Sequence, residues 1–291
     1  MKIGWIGTGI MGNAMAGHLQ SAGHELFIYT RTKEKAENLI TNGGTWCSVP
    51  KDVAQNTEVV FTMVSFPRDV ERVYFEENGI FSGGGSCRIV VDMTTSEPSL
   101  ARKIAVTASE KGIASLDAPV SGGDIGARGA TLAIMVGGDR NAFDKVLPLF
   151  QLLGTTIAHM GPAGAGQHTK MCNQILIAGT MIGVCESLLY ASKQGIDEQE
   201  VIEIIGKGAA SSWSINNLGP RIVKGNYDPG FLVEHFIKDM GIALKEAGVI
   251  GLSLPGLALV HQFYIALMAQ GHGRLGTQAL MLALKKLNGV D

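Results

Sequence analysis

A glycine-rich turn near the start of the chain restricts the fold more than any other feature. The segment GTGIMG (residues 7–12) follows the strand-forming run KIGWI and opens the helical pattern AMAGHLQSAG. A GxGxxG turn between a strand and a helix typically binds the pyrophosphate of a dinucleotide, because its glycines allow a tight turn, close ligand approach and close packing. The helix N-terminus favours the negative charge of that group. We therefore expect a dinucleotide cofactor to contact Gly7, Thr8, Gly9, Ile10, Met11 and Gly12.

Strands and helices alternate through the first half of the chain. The β-branched runs ELFIYT, EVVFTMV, RIVVDM, SLDAPV and TLAIMVGG are separated by helical patterns up to about residue 160. This alternation predicts a parallel, doubly wound sheet with helices on both faces, in which ligands bind at the carboxyl ends of the strands. Further candidate cofactor contacts therefore follow the second, third and fourth strands, at Thr30, Val64, Ser65 and Thr95.

The second half of the chain has a different pattern of predicted secondary structure. Beyond residues 161–166 no strand-like run occurs, and helical periodicity continues to residue 288. The sequence thus predicts an α/β Rossmann domain over 1–163, a long interdomain helix over 164–193 and an all-helical C-terminal domain over 194–291. The long helix would measure about 40 Å, which suggests that it crosses between domains or into a partner subunit. Further helices are expected over 197–208, 213–224, 231–251, 255–270 and 275–287.

Composition restricts the partners and the surroundings. A net charge of −2, with 17% charged residues, gives no basic surplus to attract nucleic acid or an anionic membrane. The apolar stretches 171–191 and 249–269 are interpreted as buried helices rather than membrane spans, because the first contains Glu186 and the second is broken at Pro255. We therefore expect small-molecule partners.

The N-terminus and the cysteines indicate a cytoplasmic location. The chain runs straight into a strand pattern, without the charged and apolar regions of a signal peptide. The cysteines include no CxxC pair, which favours buried free thiols in a reducing compartment over disulfides. They are Cys47, Cys87, Cys172 and Cys185. We assign no metal site.

The residues after the second strand bear on the choice of cofactor. NAD enzymes commonly place Asp or Glu here, beside the adenosine ribose, whereas this chain has Thr30, Arg31 and Thr32. A guanidinium pairs with a 2′-phosphate that a carboxylate would repel. NADP(H) is therefore favoured, with NAD(H) as the second candidate. An exposed arginine without a role is the alternative interpretation, and Lys35 either assists or is merely solvated.

Five motifs, in order along nearly the whole chain, resemble the β-hydroxyacid dehydrogenase family, which includes 3-hydroxyisobutyrate dehydrogenase, tartronate semialdehyde reductase and the glyoxylate/succinic semialdehyde reductases. They are GTGIMGNAMAGHL at 7–19, DMTTSEP at 92–98, DAPVSGGDIGARGATLAIMVGG at 117–138, GAGQHTKMCNQ at 164–174 and FIKDMGIAL at 236–244. The loop after Ser121 matches none of the individual substrate classes closely. The resemblance therefore implies the family and leaves the substrate open.

The resemblance implies a catalytic role for Lys170. Reduction of a carbonyl needs a proton for the oxygen as hydride reaches the carbon, and a positioned ammonium supplies it and stabilises the developing alkoxide. In the oxidative direction a neutral lysine would accept that proton. Without the motif, such a lysine would be interpreted as surface charge. Asn173 and Gln174 lie three and four residues further along the helix, so either amide can share the substrate with the lysine, and the choice between them stays open.

A serine and two glycines after the run SLDAPV resemble the family's loop for the substrate carboxylate. Ser121 offers a hydroxyl, while Gly122 and Gly123 offer unhindered backbone N–H groups. A plain glycine turn is the alternative.

The resemblance also implies contacts to the nicotinamide end of the cofactor. Thr95 is similar to the family residue beside the nicotinamide ribose, although a helix N-cap is compatible with the same position. Lys238 and Asp239 resemble a pair that reaches over the nicotinamide, and Lys238 is a candidate for the substrate as well. Phe231 and Trp213 either wall off the reacting carbon or pack in the core.

We therefore expect an NADP-preferring oxidoreductase that interconverts a short 3-hydroxy acid, or a related hydroxy acid, and its semialdehyde or keto form. An imine reductase on the same scaffold is one alternative, although such relatives usually carry Asp or Tyr in place of Lys170. A non-catalytic cofactor-binding module is another. The long helix and the apolar C-terminal domain suggest a homodimer or homotetramer, and a monomer would have the same composition.

Overall fold

The first half of the chain folds around a sheet whose central strands are buried on both faces, so their residues are almost wholly apolar. The structure is a computed structural model that describes residues 1–83 and 85–290. The strands are β1 (Lys2–Ile6), β2 (Glu25–Tyr29), β3 (Thr45–Trp46), β4 (Val59–Thr62), β5 (Ile89–Asp92), β6 (Ala114–Asp117), β7 (Val120–Ser121), β8 (Leu132–Gly138) and β9 (Gly154–Gly161).

The strand order is β3-β2-β1-β4-β5-β6-β8-β7, with β9 pairing to β8. Strands β1 to β6 run parallel, so their carboxyl ends share one edge, where Asp92 and Asp117 are register partners. Strand β8 runs antiparallel to β6 and β7, which corrects the expectation of a purely parallel sheet. The connection from β6 to β8 contains only β7 and one short helix, whereas parallel neighbours usually need a longer crossover.

Helices of the first unit cover this sheet. They are α1 (Ile10–Ser21), α2 (Glu37–Thr41), α3 (Pro50–Asn56), α4 (Pro67–Phe75), α5 (Pro98–Glu110), α6 (Gly123–Arg128) and α7 (Arg140–Phe150), with single 3₁₀ turns at Lys33–Ala36 and Ile80–Ser82. One face of the sheet buries Trp5 against Phe61, and Phe61 against Phe150, with ring centroids 5.5 and 6.2 Å apart. The predicted fold class, an N-terminal Rossmann sheet followed by helices, is confirmed.

The chain divides into two compact units, Met1–Lys170 and a second that begins at Met171. Helix α8 (Ala165–Lys193) contributes its first residues to the first unit and continues into the second. The second unit contains α9 (Glu198–Ile205), α10 (Trp213–Asn217), α11 (Gly219–Val223), α12 (Val233–Val249), α13 (Pro255–Leu267) and α14 (Leu280–Leu287), with a π-helical turn at Met268–His272 and a 3₁₀ turn at Thr277–Ala279. Its core includes Met181, Phe236 and Tyr264.

Several predicted helix bounds are wrong. The helix expected over 213–224 is two helices, because Pro220 lacks the N–H that a continuous helix would use. The helix expected over 255–270 ends at Leu267, before the π-helical turn in which Gly271 has φ +88°. The last helix begins at Leu280, after the 3₁₀ turn.

By length and composition alone, α8 is also apolar enough to cross a membrane, and it is the one such helix among residues 1–83 and 85–290. A core helix passes the same test, and Ala178, Met181, Cys185 and Leu188 of α8 belong to the core of the second unit.

The cysteines are free thiols, and three of them, Cys47, Cys87 and Cys185, are buried. Burial raises the pKa of Cys47 and of Cys87 to about 11. Cys172 is exposed, so the expectation of burial is wrong at that position. It lies on the outer side of α8, whose buried residues face the core.

Candidate active site

The turn between β1 and α1 needs glycine at two positions for packing and leaves the third open. Gly7 has φ +98°, and a Cβ there would lie 2.2 Å from the carbonyl oxygen of Met63. A Cβ at Gly12 would lie 2.1 Å from the carbonyl oxygen of Gly7. A Cβ at Gly9 would meet nothing within 4 Å. The open side of this turn therefore lies at Gly9.

The donors at this turn fit a dinucleotide pyrophosphate. Helix α1 begins at Ile10 without a side-chain cap, so the N–H groups of its first turn, which includes Met11, can donate to an anion. The hydroxyl of Thr8 is buried and has no hydrogen-bond partner among the described residues. An anion beside Gly9 would satisfy both needs.

A cationic side chain lies just after the end of β2 and forms an ion pair with a buried carboxylate. Arg31 Nη1 lies 3.2 Å from Oδ1 of Asp69, a buried residue in the first turn of α4. The arginine side chain is 72% exposed, so it remains accessible to a ligand. Thr30 and Thr32 flank it, and no carboxylate occupies these three positions. An exposed guanidinium can pair with an anionic group of a ligand.

The loops after β4 and β5 are tied together above a buried carboxyl. The backbone N–H of Val64 donates to Thr94 Oγ1 at 3.0 Å. Asp92 accepts hydrogen bonds from Thr62 Oγ1 at 2.7 Å and from the N–H of Thr94 at 3.1 Å. Burial raises the pKa of Asp92 to about 6, although these hydrogen bonds oppose the rise. Ser65 and Thr95 follow on these two loops, at the carboxyl edge of the sheet.

A second buried carboxyl holds the start of α8. Asp117 accepts from the N–H of Gly164 at 2.7 Å through Oδ1 and from the N–H of Gln167 at 2.9 Å through Oδ2. Burial raises the pKa of Asp117, and the backbone hydrogen bonds partly offset the rise. Lys170 lies one turn beyond Gln167 and is only 6% exposed. The helix that carries the lysine is therefore fixed to the end of β6.

The serine loop lies between β7 and α6. Ser121 is half-buried at the end of β7, and Gly122 and Gly123 have φ values of +132° and +61°, which favour glycine. Asp124 and Arg128 pair with each other at 2.6 Å. The loop thus combines a hydroxyl with backbone N–H groups free of side-chain hindrance, as a carboxylate site needs.

Four of the residues that the sequence singles out are joined in the second unit by two hydrogen bonds and one ion pair. Asn173 Nδ2 donates to Gln174 Oε1 at 2.7 Å, and Gln174 Nε2 donates to Asp239 Oδ2 at 2.6 Å. Lys238 Nζ lies 2.9 Å from Asp239 Oδ1. The carboxylate of Asp239 is therefore shared by an amide and an ammonium. Lys170 is the neighbour of this cluster along α8, three and four residues before its two amides.

The two aromatic candidates differ in exposure. Phe231 packs against the core of the second unit, with its ring centroid 6.0 Å from that of Phe236. Trp213, at the start of α10, is 65% exposed, so core packing is excluded for it within the described chain.

Sequence reasoning missed four polar residues that organise the site, namely Asp69, Asp92, Asp117 and Gln167. A carboxylate at the end of an apolar strand run, as in RIVVD and SLD, is the signal that would have identified two of them. Asp69 and Gln167 look like ordinary helical residues until the tertiary contacts are known.

Together, a Rossmann sheet with an open phosphate turn and a buried lysine at the start of a long helix define a nicotinamide-dependent dehydrogenase. Residues 2–161 match the family model for the NAD-binding domain of 6-phosphogluconate dehydrogenase. Residues 164–284 match the NAD-binding domain of NADP-dependent 3-hydroxyisobutyrate dehydrogenase. The chain belongs to the β-hydroxyacid dehydrogenase family.

Proteins named as 3-hydroxyisobutyrate dehydrogenases, or as a reductase of a similar small acid, align with nearly the whole chain. A 3-hydroxyisobutyrate dehydrogenase-like protein of Arabidopsis thaliana is 51% identical over 100% of this chain and 87% of its own. The 2-hydroxy-3-oxopropionate reductase of Escherichia coli is 39% identical over 98% of this chain and 97% of its own. The structure of a Mycobacterium tuberculosis 3-hydroxyisobutyrate dehydrogenase with L-serine matches with a TM-score of 0.88, at 28% identity over 98% of this chain and 99% of that one. The protein is thus an oxidoreductase that acts on a CH–OH group with a nicotinamide cofactor.

Proposed function

We propose that the protein interconverts a short 3-hydroxy acid and its semialdehyde, or a related hydroxy acid and its keto form, with Lys170 as general acid and base. The observation that carries this proposal is the burial of Lys170, which is 6% exposed at the start of α8. Lysine is rarely buried without a specific use, because desolvation of its ammonium is costly. The hydroxyacid chemistry of the family supplies such a use.

Named residues account for the proton transfer and for binding of the substrate carboxylate. A bound nicotinamide cofactor would supply or accept the hydride. During reduction the Lys170 ammonium donates a proton to the carbonyl oxygen, and during oxidation the neutral amine takes the hydroxyl proton. Ser121 and the N–H groups of Gly122 and Gly123 hold the substrate carboxylate. The Asn173 amide, oriented by Gln174, contributes a polar contact on the lysine side.

We further propose that NADP(H) is the preferred cofactor. The support is the exposed guanidinium of Arg31, anchored by Asp69 at 3.2 Å, in a loop without a carboxylate for the ribose hydroxyls. Thr30 and Thr32 add hydroxyl groups beside it. NAD(H) remains the second candidate, since a lone arginine also tolerates an unphosphorylated ribose.

A substrate panel tests both proposals. Initial rates with NADPH and NADH would be measured on glyoxylate and on succinic, tartronate and methylmalonate semialdehydes, with simple aldehydes that lack an acid group as controls. L-serine and 3-hydroxyisobutyrate would be assayed in the oxidative direction with NADP⁺ and NAD⁺. We expect turnover of acids alone, with a kcat/KM at least about tenfold higher with NADPH, equivalent to about 1.4 kcal/mol. Failure to turn over any acid, despite NADPH binding, would contradict the proposed function.

We also propose a homodimer or homotetramer. Between residues 172 and 190 of α8 the exposed residues recur at alternating spacings of four and three, a pattern typical of helix pairing. They are Cys172, Leu176, Gly179, Gly183, Glu186 and Tyr190. A mass of 30.7 kDa by light scattering at micromolar concentration would contradict this assembly. A cytoplasmic location stays a prediction.

A further inference from the structure

A single buried side chain of α8 bonds to both sides of the loop formed by residues 94–96, called here the Thr95 loop. Gln167 is 0% exposed, and its Oε1 accepts from the N–H of Ser96 at 2.9 Å. Its Nε2 donates to the carbonyl oxygen of Thr94 at 2.7 Å. Thr95, the candidate contact to the nicotinamide ribose, lies between these two residues. The glutamine amide therefore ties this loop directly to α8.

The backbone of Gln167 is held as firmly as its side chain. Its N–H donates to Asp117 at 2.9 Å, and the other oxygen of that carboxylate accepts from Gly164 at 2.7 Å. A Cβ at Gly166 would lie 2.4 Å from the carbonyl oxygen of Met135, so α8 begins in close contact with the sheet. The first turn of the helix has little freedom to move.

Lys170 follows Gln167 by three residues, and residues three apart share a face of a helix. We propose that Gln167 is a positioning residue that sets the location of Lys170 relative to the Thr95 loop, with Asp117 as the anchor of its backbone. This inference rests on the proposed role of Lys170. Hydride and proton transfer require both reacting groups in register, and a misplacement of about 1 Å costs on the order of 100-fold in rate.

Both polar ends of the glutamine amide are needed at this position. Leucine has nearly the same volume but bonds neither Ser96 nor Thr94. An ionised glutamate accepts from Ser96 but faces the Thr94 carbonyl oxygen with a second acceptor. A protonated glutamate restores the pattern, because its O–H donates to Thr94 while its carbonyl oxygen accepts from Ser96. The Gln167→Glu variant should therefore recover activity, relative to the wild type, as the pH falls.

The test compares Gln167→Leu, Lys170→Ala and the double variant in the full-length protein. We expect Gln167→Leu to lower kcat by about 30-fold or more, with the Kd for NADPH within about threefold of the wild type, as misplacement of a catalytic group predicts. In the Lys170→Ala background the same change should lower kcat no further, since residues that act as a unit are not additive. A multiplicative loss in the double variant would contradict the proposal.

Gln20→Leu is the matched control. The Gln20 amide also bridges two carbonyl oxygens, those of Leu39 at 2.9 Å and Asn42 at 3.2 Å, at the end of α1 remote from its glycine turn. Its loss should change stability without lowering kcat. Equal kcat values for Gln167→Leu and Gln20→Leu would overturn the proposal.

Two readouts remain decisive if Gln167→Leu folds poorly or the activity is weak. The ratio of Gln167→Glu to wild-type kcat should rise between pH 9 and pH 6, and a flat ratio would contradict the proposal. Amide hydrogen exchange without cofactor should be faster over residues 93–98 in Gln167→Leu than in Gln20→Leu, and equal exchange would also contradict it. A wild type that turns over no acid refutes the proposed function, whereas an active, Lys170-dependent enzyme indifferent to Gln167 refutes this inference alone.

Discussion

The buried carboxylate of Asp239 accepts a 2.6 Å hydrogen bond from the side-chain amide of Gln174. The carbonyl oxygen of that amide accepts from Asn173 at 2.7 Å, so both ends of Gln174 are used inside the protein. Gln174 is 1% exposed, whereas Asn173 is half-buried. Of the two amides that the sequence leaves as alternatives, Gln174 is therefore the one used inside the protein, and the substrate contact that we propose falls to Asn173.

Replacing Gln174 with methionine should destabilise the protein. Asp239 Oδ2 would lose its amide donor while remaining buried, although the other oxygen keeps its ion pair with Lys238, and an unsatisfied buried polar atom costs about 1–3 kcal/mol. Urea unfolding measures the change. The exposed Gln194, immediately after α8, provides the control, since its change to methionine should alter stability by no more than about 0.5 kcal/mol. Equal stabilities for the two variants would show that the Gln174 contact contributes nothing.

Arg31→Ala should reduce the preference for NADPH over NADH. Loss of a charge-assisted contact to the 2′-phosphate is expected to lower the ratio of kcat/KM values by about tenfold or more, equivalent to about 1.4 kcal/mol. Arg72→Ala removes an exposed arginine of α4 that pairs with Glu76, and the ratio should stay unchanged in that variant. An unchanged ratio of kcat/KM values in Arg31→Ala would show that the guanidinium does not bind the 2′-phosphate.

Substitution of two glycines of α1 by alanine should have different effects on NADPH binding and stability. A Cβ at Gly12 would lie 2.1 Å from the Gly7 carbonyl oxygen, so Gly12→Ala must displace the turn and weaken NADPH binding. A Cβ at Gly17 has only Leu39 nearby, at 3.9 Å. Gly17→Ala should stabilise the helix by up to about 1 kcal/mol and leave binding intact. Thermal unfolding with and without NADPH compares the two, and tight NADPH binding by Gly12→Ala would refute this account of the turn.

Ionisation of Asp92 should lower the free energy of unfolding as the pH rises from about 4 to about 6. Burial raises the pKa of Asp92 in the folded protein from 3.8 to about 6, so between these values the folded state binds more protons than the unfolded state. The difference of about two pH units corresponds to a contribution of about 3 kcal/mol, fully present below pH 4 and lost by pH 7. Asp92→Asn should therefore gain stability over the wild type as the pH rises from 5 to 8 in urea unfolding. A constant difference between the two proteins would contradict the raised pKa.

The main architecture was predictable because it depends on local patterns. The glycine turn and the alternation of strands and helices indicate a Rossmann sheet without tertiary information. Strand β9 escaped prediction because it alternates exposed and half-buried residues, and the reversal of β8 because residue periodicity does not encode strand direction. Candidate site residues beside recognisable motifs, such as Lys170, could likewise be named from the sequence. Gln167 and Asp117 were not, because their partners lie far away in sequence.

The central claim concerns the proton at Lys170, and one measurement tests it most directly. Lys170→Met keeps the apolar stem and removes the ammonium, while Lys193→Met makes the same change at an exposed position near the end of the same helix. On the best substrate, Lys170→Met should lower kcat by about 10²–10⁴-fold, with the Kd for NADPH within about threefold of the wild type. Lys193→Met should match the wild type. A Lys170→Met enzyme whose kcat stays within about tenfold of the wild type would contradict the assignment of this lysine as the general acid and base.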